Sequence, residues 1–424
     1  MIERPIPARI TGRHATIPPM LTRRPPPFPR RRDEAIAAVV EQLKNGDWTR
    51  LEGAPELERE LETFHGPGIT GTKPTVFYLS SGTAALMAIL LGHGIGPGDE
   101  VITTPYTWGA TVSAVLAIGA IPVFADVDPI SGLMRPETVE PLITPRTRGI
   151  LCVHLFGHPC AAAELRRIAD RRGILLFEDG SQAHGARLDG LRVGAFGHAS
   201  AFSCMGLKLL AGTEGGYAVF HDPAAAERAM LYGRHPRGLP PDRAAVLGEA
   251  GLLDALQLGW RPCTIGAVLV RHALPHLDAE NAARRRNGGR LRAALAGLDA
   301  VALHQDLPGA EGCDHLLSLV VHPERCGRTR NDIAARMNAA GAGNFHYIPV
   351  PIHRLKRLDP HGYDGPRVFW HDQLLRAGAD YRAAECPGAE WRCPREITLG
   401  FNWTEDDPEA MGQLAAAIRH AVAA

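Results

Sequence analysis

The stretch "ILLFEDGSQAHGA", residues 174–186, decides the fold. Its first four residues are apolar, with no alternation and too little length for a helix. Such a run is a strand buried on both faces, and Glu178 and Asp179 end it. A carboxylate carried into a crevice needs a cationic partner, because isolated burial is costly. A loop or capping carboxylate would read the same way. Gln182 and His184 follow within reach of the strand end.

The same grammar repeats on both sides. "TVFYLSSG", "EVITTPY", "IPVFADVD" and "RGILCVHLFG" read as strands. "TAALMAILLGHG", "GATVSAVLAIGA" and "AAELRRIADRRG" read as helices between them. Strands alternating with helices of this length define an α/β architecture, a mostly parallel central sheet flanked by helices. Ligands of such sheets sit at the C-terminal strand ends. Residues 1–32 are rich in Pro and Arg and predict an extended arm, draped on the chain or reaching a second subunit. Residues 33–270 would form the large domain. A helix is expected over about 264–296, broken at Pro275, and residues 271–424 would form a smaller α+β domain.

Composition excludes several classes. The chain of 424 residues has 46 Lys+Arg against 46 Asp+Glu, so no nucleic-acid or membrane-surface partner is indicated. Eight cysteines without a C-x-x-C pair fit free thiols in a reducing cytoplasm. No stretch is apolar enough for a membrane span, and no metal-ligand spacing stands out.

The cations hold the next clue. Lys44, Lys73, Lys208 and Lys356 are the four lysines, and every other cation is arginine. Lys208 lies in "FSCMGLKLLAGTEGG" (202–216), among Met205, Leu207, Leu209 and Leu210. A surface lysine on a loop is the ordinary alternative. But arginine keeps its charge and cannot form an imine, whereas a desolvated lysine becomes a nucleophile. Three further features join it. "SSGTAAL" (80–86) places Gly82 and Thr83 at a strand-to-helix turn, an anion cup or a plain N-cap. Trp108, just past a strand, is core filler or a flat platform. Ser203 ends the short strand "ASAFS". Cup, platform, carboxylate and lysine together match the needs of pyridoxal 5'-phosphate (PLP): phosphate site, ring stacking, a partner for the pyridine nitrogen and a Schiff-base amine.

These residues resemble the DegT/StrS-type family of PLP-dependent sugar and cyclitol aminotransferases, of fold type I. The resemblance runs through "NGDWT", "SSGTAAL", "GDEVITTPYTWGATVSAVLAIGAIPVFADVD", "HLFGHPC", "FEDGSQAHGA", "FSCMGLK" and "HYIPVPIH". It implies Lys208 as Schiff-base lysine and proton carrier, and Asp179 as partner of the pyridine nitrogen. Gln182 would contact the ring hydroxyl, Trp108 would stack on the ring, and Gly82, Thr83 and Ser203 would hold the phosphate. His184, His346 and His353 would face the substrate. The resemblance also implies a small-molecule amino donor, glutamate or glutamine, a keto-sugar or keto-cyclitol acceptor, an antibiotic-type pathway and a homodimer with shared active sites. Three segments depart from the family pattern: Met205-Gly206-Leu207 before the lysine, Gly259 beside Arg261, and "LGFNWTE" late in the chain. All lie near substrate or subunit interface, so dehydration, aromatisation or C–C/C–N bond formation is the alternative chemistry. Lys208 argues against the dehydratase branch, where histidine replaces it. Intact Lys208, Asp179 and Gln182 argue against a sensor that only binds.

Overall fold

A computed structural model describes residues 20–23, 25, 31–45, 54–233, 256–366 and 368–423. Most of the Pro/Arg-rich arm, and "NGDWT" apart from Asn45, lie outside the described residues.

Seven strands form the main sheet: β1 (Thr75–Leu79), β2 (Glu100–Thr103), β3 (Ile121–Phe124), β4 (Thr147–Val153), β5 (Leu175–Asp179), β6 (Ala199–Ser203) and β7 (Gly216–Phe220). Their spatial order is β1-β7-β6-β5-β4-β2-β3. β6, β5, β4, β2 and β3 pair in parallel, and β7 runs antiparallel to both β1 and β6. The C-terminal ends of six strands and the N-terminal end of β7 therefore share one edge. Apolar strands covered on both faces fit this arrangement. Helices α1 (Arg32–Asn45) and α2 (Ala54–His65) precede β1. On one face of the sheet lie α3 (Gly82–Gly92) and α4 (Gly109–Ala117), whose alanines and leucines fill a core with Phe77, Leu151 and Phe177. On the other lies α5 (Ala162–Arg172), with Leu165 and Ile168 against Ile150 and Leu176.

The helical run after β7 is interrupted where Pro275 predicts. One helix spans Thr264–Ala273, a 3-10 turn covers Leu274–His276, and the next helix spans Leu277–Ala294. A three-stranded antiparallel sheet follows, with Leu316–Val321 between Val301–Leu303 and Glu396–Gly400. The terminal helix Pro408–Val422 closes its core. Two findings refine the sequence reading. The described end of the arm lies on this small unit: the Met20 and Leu21 N–H groups donate to Ala340 O, and Leu21 enters its core. The segment from Ile348 to Cys393, though late in the chain, returns to the large sheet, burying Ile352, Leu374 and Cys386 beside Phe124.

Candidate active site

The edge where the strand ends meet is built backbone on backbone. After β1, the Ser81 hydroxyl accepts the Ala84 N–H at 3.1 Å and caps α3. The first-turn N–H groups have no intrahelical acceptor and form an anion cup. A Cβ on Gly82 would stand 2.7 Å from Ser203 Cβ, and one on Gly216 would stand 2.4 Å from Gly82 N. The "SSG" turn, the end of β6 and the start of β7 therefore touch only because those positions are glycine. Gly215 is under a further constraint: its φ is +140°, and a Cβ would meet the Tyr78 hydroxyl at 2.2 Å.

The two carboxylates of β5 separate in role. Glu178 is fully buried and takes N–H groups from Gly194, Phe196 and Gly197, with His154 Nε2 at 3.0 Å. It pins a loop and is spent. Asp179 points to the open edge. Its Oδ2 accepts the Thr111 hydroxyl at 2.8 Å, and its Oδ1 accepts the Ser181 N–H at 3.1 Å. Thr111 in turn pairs with Thr107 at 3.0 Å. Gln182 is held at both ends: its Oε1 accepts the Phe156 N–H at 2.8 Å, and its Nε2 donates to the Tyr347 hydroxyl at 2.7 Å. Burial raises the Tyr347 phenol above its ordinary pKa, as does the charge of Asp179, so it stays neutral.

Lys208 borders the same space, a cavity of about 540 Å3. Burial lowers the pKa of its amine, and Asp179 and Cys204 pull weakly the other way. Lys44, Lys73 and Lys356 are exposed, so the lysine singled out by its apolar neighbours is also the one partly withdrawn from water. Trp108 sits just before α4, 60% exposed, with its ring 5.8 Å from that of Tyr347 and tilted 33° to it. The far wall comes from the small unit, through His315, Leu316 and Phe345–Tyr347.

All seven residues read as cofactor contacts line this cavity: Gly82, Thr83, Trp108, Asp179, Gln182, Ser203 and Lys208. His346 also lines it, but its nitrogens are engaged. Nε2 donates to Cys393 O at 2.7 Å, and Nδ1 meets the Arg330 guanidinium. His184 is a correction. The turn after Gly180 sends it beneath the sheet, fully buried, 5.3 Å from the Phe202 ring and 5.9 Å from Tyr217. Burial and the nearby Lys208 charge lower its pKa to about 3, so it is a neutral core residue. His353 is a second correction. It is buried beside Phe124 with Nε2 on Glu390 at 3.0 Å, and it does not line the cavity. Sequence reading missed Thr111, Tyr347 and His315. Thr111 was findable: a threonine on an otherwise apolar helix must satisfy its hydroxyl somewhere.

The sheet order, the lysine, carboxylate and glycine cup at one edge, and the smaller α+β unit define a fold type I transferase. The chain belongs to the DegT/DnrJ/EryC1/StrS aminotransferase family, whose pattern matches residues 29–407. It is 36% identical over 330 residues to a dTDP-3-amino-3,4,6-trideoxy-alpha-D-glucose transaminase of Streptomyces venezuelae, covering 76% of this chain and 79% of that one. It is 37% identical over 280 residues to an L-glutamine:2-deoxy-scyllo-inosose aminotransferase of Streptomyces kanamyceticus, covering 64% of each chain. A solved structure of 3-amino-5-hydroxybenzoic acid synthase superposes with a TM-score of 0.78 at 26% identity, covering 94% of this chain and 98% of that one. No helix among the described residues is long and apolar enough to cross a membrane.

Proposed function

We propose that the protein is a PLP-dependent aminotransferase that carries an amino group from glutamate or glutamine to a keto-sugar or keto-cyclitol in an antibiotic-type pathway. The observation that carries this reading is Lys208, desolvated, on the same cavity as a hydrogen-bonded Asp179 and a glycine-walled anion cup. The residues fit the cofactor. Gly82, Thr83 and Ser203 suit a phosphate, Trp108 offers an open aromatic face, and Gln182 is oriented by Phe156 and Tyr347. When bound, PLP supplies an electron sink that acidifies the C–H bond beside the migrating nitrogen.

The chain's own groups do the rest. Lys208 Nζ anchors the cofactor, and once released it takes a proton from carbon and returns it, a task its lowered pKa suits. Asp179 would be the partner of the pyridine nitrogen, and Thr111 and Ser181 keep its carboxyl group oriented. The names of the two Streptomyces relatives, one a sugar-nucleotide transaminase and one a glutamine-dependent cyclitol aminotransferase, support the donor and acceptor classes. We also read the protein as a cytoplasmic homodimer with a large unit to about residue 270. The exposed Leu207, which lines the cavity, supports a partner there.

A second reading keeps the cofactor but not the amino transfer. The apolar Met205 and Leu207 and the likeness to an aromatic-product synthase favour it. Absorbance separates the two. The purified protein is expected to carry a visible band that Lys208→Ala abolishes, and L-glutamine or L-glutamate should bleach it. A visible band that no amino donor bleaches would sink amino transfer and leave the second reading.

A further inference from the structure

Away from the cavity, two distant segments bring three metal-ligating side chains together. His158 follows the 3-10 turn Leu155–Gly157, and His304 and Asp306 lie 146 and 148 residues further on, after the strand Val301–Leu303. One donor atom from each lies within 4.8 Å of the others. A tetrahedral ion with bonds of about 2.1 Å spaces its ligands roughly 3.4 Å apart, so only small shifts are needed.

We propose that His158, His304 and Asp306 bind a divalent transition-metal ion of the zinc type, which staples the large unit's loop to the small unit. The donor set of two imidazoles and one carboxylate suits such an ion. His158 Nδ1 stands 2.7 Å from Asp306 Oδ1. The rings of His158 and His304 pack with centroids 3.9 Å apart. His304 is 4% exposed, and its Nδ1 has no hydrogen-bond partner among the described residues. Its Nε2 stands 3.5 Å from Asp306 Oδ1 without forming a sound hydrogen bond. A buried imidazole with nothing to bind is costly, and an ion would satisfy it. The outer partners are also present. His158 Nε2 faces Asp314 Oδ1 at 3.4 Å, and Arg292 holds both Asp314 and His304 O. A carboxylate behind a ligating histidine orients it and raises its basicity. Asp306 faces solvent and opens a path for the ion.

Equilibrium dialysis of the chelator-treated holoenzyme against micromolar zinc tests this, with bound metal counted by atomic spectroscopy. Wild type should hold one zinc per chain that His304→Gln and Asp306→Asn each weaken at least tenfold. Asp306→Asn is exposed and isosteric, so it guards against a folding failure in the histidine variant. Zinc should also raise the unfolding midpoint of wild type but not of Asp306→Asn. Cys152→Ser should change nothing, because the buried Cys152, His154 and Cys160 form a separate cluster. Zinc binding as tight as wild type in both the His304→Gln and Asp306→Asn variants, no zinc on wild type, or loss of zinc in Cys152→Ser would each overturn the proposal.

Discussion

The two walls of the cavity are built on different principles. The sheet-edge wall is backbone against backbone, with glycines whose substitution would bring atoms inside 3 Å and a carboxylate gripped by two donors. The small-unit wall is side chains: Phe345 is 45% exposed and His346 and Tyr347 are partly exposed, facing Leu207 at 79%. The first is rigid and tolerates almost no change of shape. The second is made of side chains, of which Phe345 is the most open to change. That division suits a protein whose cofactor is constant and whose substrate is particular to it.

Substitutions should separate the walls. The largest effect is expected from Gly82→Ala. Its new Cβ would press on Ser203, and overpacking of this kind costs about 1–3 kcal/mol. Thermal unfolding and retention of the visible band both read it. Gly343→Ala, on the small-unit side with open space around it, should stay within about 0.5 kcal/mol of wild type. Equal losses at the two glycines would erase the distinction. Next comes Thr111→Val, which leaves Asp179 Oδ2 without its hydroxyl donor. An unsatisfied buried acceptor costs about 1–3 kcal/mol, which carried into cofactor affinity is about five- to 150-fold. Titration of the apoprotein with PLP measures it, and Thr111→Ser should restore the affinity. The smallest effect on the cofactor is expected from Phe345→Ala. The visible band and the reaction with the amino donor should be unchanged, while KM for the keto acceptor shifts. A shift confined to the donor reaction would mean that this wall serves the wrong substrate.

Much of the rigid wall was legible along the chain. Its elements are local: a strand, a glycine turn and a helix start lie within ten residues of one another in "TVFYLSSGTAAL". Lys208 stood out because the chain uses arginine almost everywhere a bare charge suffices and because its sequence neighbours are apolar. The flexible wall was read only in part. "HYIPVPIH" drew attention to His346 and His353, yet Tyr347 between them is the residue that holds Gln182, and His353 turns away toward Glu390. A short loop gives no periodicity from which to tell which side chain faces in. His184 failed for a similar reason. Two residues past Gln182, it lies beyond a tight turn whose direction the sequence does not encode, and it enters the core.

By itself, the sequence determined the alternation of strands and helices, the sheet edge that carries the cavity, the break at Pro275 and the singling out of Lys208. These depend on local pattern and on residue chemistry, both of which are written along the chain. Tertiary structure alone decided which carboxylate of β5 is free. Glu178 and Asp179 are adjacent, and only the loop folded over Glu178 consumes one and leaves the other. It also decided that residues 348–393 return to the large sheet, and that His158 meets His304 and Asp306. Contacts between segments more than a hundred residues apart follow from the packing of whole units, and no local pattern announces them.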